Sequence, residues 1–216
     1  MNPPRKRPVA RAPGRPRSSA SRNAILKAAY QILRERGFAG FTVEGVAARA
    51  GAGKATIYRW WKTKGTLAIE AFLLALAPRI DAVPHTDSAV VELRRQVHVA
   101  ATIYRGRAGQ LLRELIALGQ EHSETSRALR SDFVEPRRQA ALRLLTRAQA
   151  AGEIDADTDI EVLADALWGP IFHRLLVSRM PLDRGFIDKL LDLVLGGARR
   201  KSAAHAEQAS RNQGAA

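Results

Sequence analysis

Along this chain apolar residues recur at steps of three and four, the period of helices buried along one stripe. Ile25, Ala28, Ala29, Ile32 and Leu33 form the first stripe; Ser21 is placed to cap that helix and Gly37 to stop it after Arg36. Phe38 and Phe41 then fold beneath it. A shorter stripe, Val43, Val46, Ala47 and Ala50, follows Thr42, whose hydroxyl can take the first free backbone N–H. Gly51-Ala52-Gly53 breaks the pattern where the chain must turn. A third helix, about Lys54 to Trp60, points Ile57 and Trp61 inward. Thr63 can cap a fourth, about Lys64 to Leu76, which carries Leu67, Ala71, Phe72 and Leu74 and ends before Pro78.

After a loop at Pro84 to Asp87, helical patterns fill about Ser88 to Tyr104, Gly109 to Gln120 and Thr125 to Ala151. Pro136 either kinks the last of these or restarts it as a first-turn residue. Asp155 to Asp165 is acidic and opens the next helix, as the helix dipole favours. The two final stripes are wide. One runs from Ile160 to Leu176 across a Gly169-Pro170 break; the other runs from Phe186 to Leu195. Such a hairpin can pair with its own copy as a four-helix bundle through Leu167, Ile171, Leu175, Phe186, Leu190, Leu191 and Val194, or it can simply cap the core of one molecule. No stretch alternates convincingly enough for a strand. The expectation is an all-α chain of about nine helices. A helix-turn-helix domain spans 21–66 and a helical domain for ligand binding and dimerisation spans 67–200. A basic arm (1–20) and a tail (201–216) are expected to be disordered.

Charge divides the chain at the same boundary. Residues 1–64 hold 15 Lys and Arg against 2 acids, whereas residues 65–216 hold 20 against 19. Nearly all of the net +14 thus sits on the arm and the first three helices, as expected where one end meets a polyanion. No apolar run approaches a membrane span, and the Arg- and Pro-rich start contains no signal core. A cytoplasmic protein without a membrane partner is expected. The absence of cysteine excludes disulfides and thiolate metal sites.

A helix, a glycine turn and a second helix form the unit that enters the major groove of duplex DNA. Thr56 and Arg59 are the candidates for base edges. Thr42, Lys54, Tyr58, Lys62 and Lys64 are the candidates for phosphates, and Trp60 either flanks the backbone or lies on the surface. Arg15 and Arg17, nearest the fold, either enter the minor groove or attract DNA only diffusely. Arg22 and Lys27 are expected to be solvated.

Ala47, Ala50-Gly51, Ala55-Thr56-Ile57-Tyr58, Trp61, Lys64 and Leu67, with the upstream run Ser21 to Ala29 and Arg36-Gly37-Phe38, resemble the tetracycline-repressor (TetR) family of bacterial regulators over about residues 21–72. Gly53, Lys62 and Gly65 depart from the family's usual Ser, Pro and Glu. The resemblance implies a two-fold dimer on a DNA operator and a fourth helix whose swing transmits binding of a small-molecule effector.

An effector would need a largely apolar cavity with a few polar groups. His98, Tyr104, Phe133, Trp168, Phe172 and His173 are the candidates, the last three grouped beside Gly169-Pro170; ordinary core packing competes for each aromatic. None of the five histidines pairs with another at helical spacing, so no metal or other cofactor is expected. The chain carries no nucleophile elbow, Walker loop or dinucleotide fingerprint. The expected function is therefore a homodimeric, sequence-specific transcriptional regulator, a repressor released by its effector. The competing readings are an architectural DNA-binding protein without a ligand and a helical enzyme that has borrowed the N-terminal module.

Overall fold

A computed structural model describes residues 19–80, 83–120 and 124–198, all of whose regular structure is helical. The basic arm with Arg15 and Arg17, and the C-terminal tail, lie outside the described residues. Helix α1 (Ser19–Arg36) begins two residues before the expected cap and stops at Gly37, whose φ of 67° belongs to glycine. Helix α2 (Val43–Ala50) is capped as expected: Thr42 Oγ1 accepts from the Gly45 N–H at 3.1 Å. Gly51, at φ 61°, turns the chain into α3 (Lys54–Trp60). Ile25, Leu26, Ala29, Leu33, Phe41, Val46 and Ile57 are buried together, so three short helices share one small core. Each side chain of that size contributes roughly 1.5–3 kcal/mol on burial.

Thr63 caps α4 (Lys64–Ile80) by accepting from the Thr66 N–H at 3.1 Å. The helix does not end before Pro78 but runs through it to Ile80. A proline that close to a helix end removes one bond, to the Leu74 carbonyl, and Leu74 is exposed to water. Helices α5 (Ala89–Arg105) and α6 (Arg107–Leu118) follow. Next come α7 (Glu124–Ala128), a π turn (Leu129–Val134) and α8 (Glu135–Ala150), in unbroken succession. Counted as one continuous stretch, these three elements bring the number of helices among the described residues to the expected nine. Of the two alternatives left for Pro136, the first-turn position is the one observed, directly behind the π turn. The widened turn places Leu129 and Phe133 inward, and Phe133 meets Phe72 of α4 at 6.4 Å between ring centroids.

Helix α9 (Ile160–Phe172) is capped by Asp159 and continues straight through Gly169-Pro170 into a second π turn (His173–Ser178). Pro170 interrupts one intrahelical bond, as expected, but does not end the helix. Ala166, whose carbonyl a residue other than proline at 170 would have bonded, is exposed, and the His173 N–H reaches the carbonyls of Gly169 and Pro170. Asp183 caps α10 (Arg184–Gly197). No helix among the described residues is long and apolar enough to cross a membrane.

Polar contacts tie the parts together. Glu153, after α8, accepts from the backbone N–H groups of Ala89 and Val90 at 2.8 and 3.1 Å and from the Ser88 hydroxyl, closing the start of α5. Burial alone would raise the Glu153 pKa, but these donors and the nearby Arg147 charge outweigh it and hold it below the ordinary carboxylate range.

Candidate functional site

Helix α3 buries Ile57 and sets Trp61, just past its end, into the core, leaving one face outward. On that face Tyr58 is 50% exposed and Arg59 is exposed, while Thr56 is half-buried. Lys62 and Lys64 are exposed on the segment that follows. Lys54 sits one turn before Tyr58, its Nζ 2.8 Å from Glu44 Oε1 of α2. The pair lies in open solvent. The hydrogen bond and charge of Glu44 raise the Lys54 pKa, and Lys54 lowers that of Glu44. Lys64 stands over the Phe38 ring at 4.7 Å. Thr42 is engaged as a cap yet exposed, so its hydroxyl retains a face toward solvent. Trp60 is half-buried against the core, with the Arg22 guanidinium 5.6 Å from its ring, which makes it a wall rather than a free surface residue. Cations and hydroxyls are thus concentrated on α3 and the segment after it, with Tyr58, Arg59, Lys62 and Lys64 exposed and Thr56 half-buried.

The contacts that support this surface were not legible in the sequence. Arg22 is only partly solvated: it pairs with Glu70 of α4, whose other oxygen accepts from Trp61 Nε1 at 2.6 Å. Glu70 therefore clamps α1 and the end of α3 to α4. Trp61 and Glu70 lie nine positions apart across the turn between α3 and α4, so no helical spacing could have announced the contact. Further on, Glu114 of α6 accepts from the Phe38 N–H at 2.6 Å, and Arg107 donates to the Arg34 carbonyl at 3.0 Å. Helix α6 thereby satisfies the end of α1.

Two cavities lie in the C-terminal half. One, of about 340 Å³, runs between α4, α5 and α8 and is lined by Leu76, Val99, Ile103 and Tyr104 with Glu92 and Gln96. The other, of about 460 Å³, is walled by Leu129, Phe133, Val134, Ala164 and Phe172. Tyr104, Arg137 and Trp168 line both. Tyr104, Phe133, Trp168 and Phe172 are thus brought together, with Tyr104 and Phe172 at 6.2 Å. Burial pushes the Tyr104 phenol above its usual pKa, an effect that Arg137 partly offsets. The two histidines are not part of this group. His173 is exposed at the start of the second π turn and lines neither cavity. His98 faces α10, its Nε2 2.9 Å from Asp188. Arg137 was missed; it lies over the Phe133 ring at 4.1 Å and donates to the Phe133 carbonyl.

At the floor of the first cavity Glu92 is buried, bound to Arg147 at 2.6 Å and to His85 at 3.0 Å. Burial raises its pKa, but the Arg147 hydrogen bond and charge prevail, with the Thr86 N–H and His85, and the net shift is downward.

The expected dimer residues need correction. Leu167, Ile171, Leu175, Leu190 and Leu191 are buried within the protomer, and Phe186 and Val194 are half-buried against the same core. The widest stripe of each helix was taken by its own core. The outer faces of α9 with the π turn after it, and of α10, instead carry Val162, Ala166, Gly169 and Val177, and Leu193, Gly196 and Gly197, with Leu193 77% exposed. A side chain at any of these three glycines would meet open space.

Comparison with known proteins agrees with this geometry. Residues 25–71 match the model of the bacterial regulatory proteins of the tetR family, and residues 83–194 match the tetracyclin repressor-like C-terminal domain. The chain is 36% identical over 190 residues to the uncharacterized HTH-type transcriptional regulator YdeS of Bacillus subtilis, covering 88% of this chain and 96% of that protein. It is 33% identical over 173 residues to the DNA-binding transcriptional repressor TetR of Mycobacteroides abscessus, covering 80% and 90%. The crystal structure of the TetR family transcription regulator SCO0332 superposes with a TM-score of 0.74 at 33% identity, covering 84% of this chain and all of that one. With both domain models in sequence order on one helical scaffold, the chain belongs to the TetR family of DNA-binding transcriptional regulators.

Proposed function

We propose that the protein is a homodimeric repressor that binds a two-fold DNA operator through α3 and leaves it when a small molecule occupies the cavities beside Tyr104 and Trp168. The observation that carries this reading is the shared use of α4. Its start holds the recognition unit through Glu70, while Leu76 and Ile80 near its end line the first cavity. A ligand that favours one placement of α4 thereby favours one separation of the two reading heads, by as much as its affinities for the two states differ.

Arg59 and Thr56 read base edges in this account, and Lys54, Tyr58, Lys62 and Lys64, with the exposed side of Thr42, hold phosphates. Two copies joined through the outer faces of α9 and α10 place two such heads on one side of the duplex. The small and apolar residues at Ala166, Gly169, Leu193, Gly196 and Gly197 support a close helix approach there. Footprinting on sites selected from random duplexes tests the assembly. Two protected half-sites with dyad symmetry, about one or two helical turns apart, are expected at a stoichiometry of two chains. A single unpaired footprint bound by one chain would contradict it.

A further inference from the structure

Beside the first cavity lies an open groove of about 520 Å³ whose lining differs in kind. Arg79 at the end of α4, Arg95 and Arg105 on α5 and Arg184 at the start of α10 surround it, with His98 and Thr102 between them. Arg95, His98, Thr102 and Arg105 form one stripe of α5 at steps of three and four. The neighbouring stripe, Glu92, Gln96, Val99 and Ile103, faces the cavity. Val83 and Val99 line both spaces and are half-buried, so they form the rim where cavity and groove meet.

Three other arginines in this half of the chain are matched with carboxylates: Arg94 with Asp192 at 2.6 Å, Arg147 with Glu92, and Arg138 with both Glu161 and Asp165. In the groove, Arg79, Arg95 and Arg105 make no ion pair among the described residues. Asp188 is shared between His98 at 2.9 Å and Arg184 at 3.7 Å. Counting Asp188, and Asp81 as a chain neighbour of Arg79, the groove stays net positive. Like charges around one concavity repel one another, and an anion relieves that repulsion. Guanidinium forks match phosphate oxygens two at a time. The Thr102 hydroxyl, already receiving a hydrogen bond from Arg105 at 2.9 Å, adds a polar point between them.

We infer that the effector is a phosphorylated amphiphile, whose apolar body enters the cavity past Val83 and Val99 and whose phosphate-bearing head rests on Arg79, Arg95, Arg105 and Arg184. The inference rests on the cavity being the effector site and adds what the ligand must carry outside it. Arg79 lies at the opposite end of α4 from Lys64, roughly 22 Å along the helix axis, so an anion here does not compete for the DNA-reading surface.

The test uses matched probes on the full-length protein: geranyl diphosphate against geraniol, and lauroyl-coenzyme A against lauric acid, with binding followed by calorimetry. At least one phosphorylated probe should bind tenfold or more tightly than its partner, and higher salt should shrink that advantage. Arg95→Ala with Arg105→Ala, both on an exposed helix face, should erase the advantage while leaving binding of geraniol and lauric acid intact. Which pair shows the advantage identifies a short diphosphate or a nucleotide-bearing thioester as the source. Equal binding within both pairs, or an advantage that survives the double substitution, overturns the groove inference while the cavity reading stands. If none of the four probes binds, or if Ala100→Phe in the cavity wall leaves all binding unchanged, the cavity reading fails and the inference falls with it.

Discussion

Lys54 and Glu44 show how single charges would tune the proposed DNA-binding surface. Their ion pair is fully exposed, and such pairs are weak and screened by salt. Glu44 nevertheless holds a cation that phosphate could use. Glu44→Gln is expected to tighten binding to random duplex by about two- to fivefold, the range surface pairs are worth, as measured by fluorescence anisotropy at low salt. Lys64→Ala is expected to weaken all sequences alike and to reduce the slope of log affinity against log salt by about one. Glu70 is a different case, since it is partly buried and serves both Arg22 and Trp61. Glu70→Ala should cost about 1–3 kcal/mol in chemical denaturation, since hydrogen bonds to charged groups carry that much. At this scale the inward Ile57 and Trp61 and the Thr42 and Thr63 caps were legible, because helical spacing and capping are local. Glu70 and the buried Glu92 were not, since Arg22 and Arg147 lie 48 and 55 positions away, and Arg137 was not, since it meets Tyr104 only across the fold. His98 was assigned to the cavity because its chemistry suits a ligand, but the helix turns it toward Asp188 instead.

Among the elements, α4 links the two halves, and its start shows how tightly it is seated. A methyl group at Gly65 would lie 2.3 Å from Thr125 Oγ1 of α7, a buried side chain. Gly65→Ala is therefore expected to destabilise the protein by about 1–3 kcal/mol, and Thr125→Ala to restore part of the loss, as measured by thermal unfolding of the single and double variants. The stripe of α4 was readable in advance, but its passage through Pro78 and the course of α9 through Gly169-Pro170 were not. In both places the carbonyl deprived of its partner belongs to an exposed residue, and a sequence does not reveal which face of a helix water will cover. The closure of α5 by Glu153 and the Glu92–Arg147 pair make acid stability an element-scale property. Both carboxyls have pKa values lowered by folding, so their contribution is complete above the ordinary carboxylate range and is lost as pH falls through and below it. Glu92→Gln should flatten the acid limb of a stability–pH profile while also lowering stability near neutrality, because Arg147 loses its charged partner.

For the molecule as a whole, the division of charge was the most informative feature of the sequence: a net +13 before residue 65 and +1 after it. Function could be read from composition because DNA affinity is largely a matter of where cations lie. The dimer face could not, since one wide apolar stripe can serve either a core or a partner, and here the core took it. The outer face of α9 and α10 leaves Leu193 and Val177 exposed at 77% and 70%. Leu193→Glu should shift sedimentation toward single chains and weaken operator binding, with the helical content unchanged. The central claim is that α3 reads sequence through Arg59. The most direct measurement is competition between a selected operator and random duplex at one fixed salt concentration, for the wild-type chain and for Arg59→Ala. The wild type should prefer the operator by about 10³-fold or more. Arg59→Ala should lose about 1–3 kcal/mol of that preference at one base position while keeping its affinity for random duplex. A wild-type protein indifferent to sequence, or an Arg59→Ala variant with undiminished preference, would contradict the account.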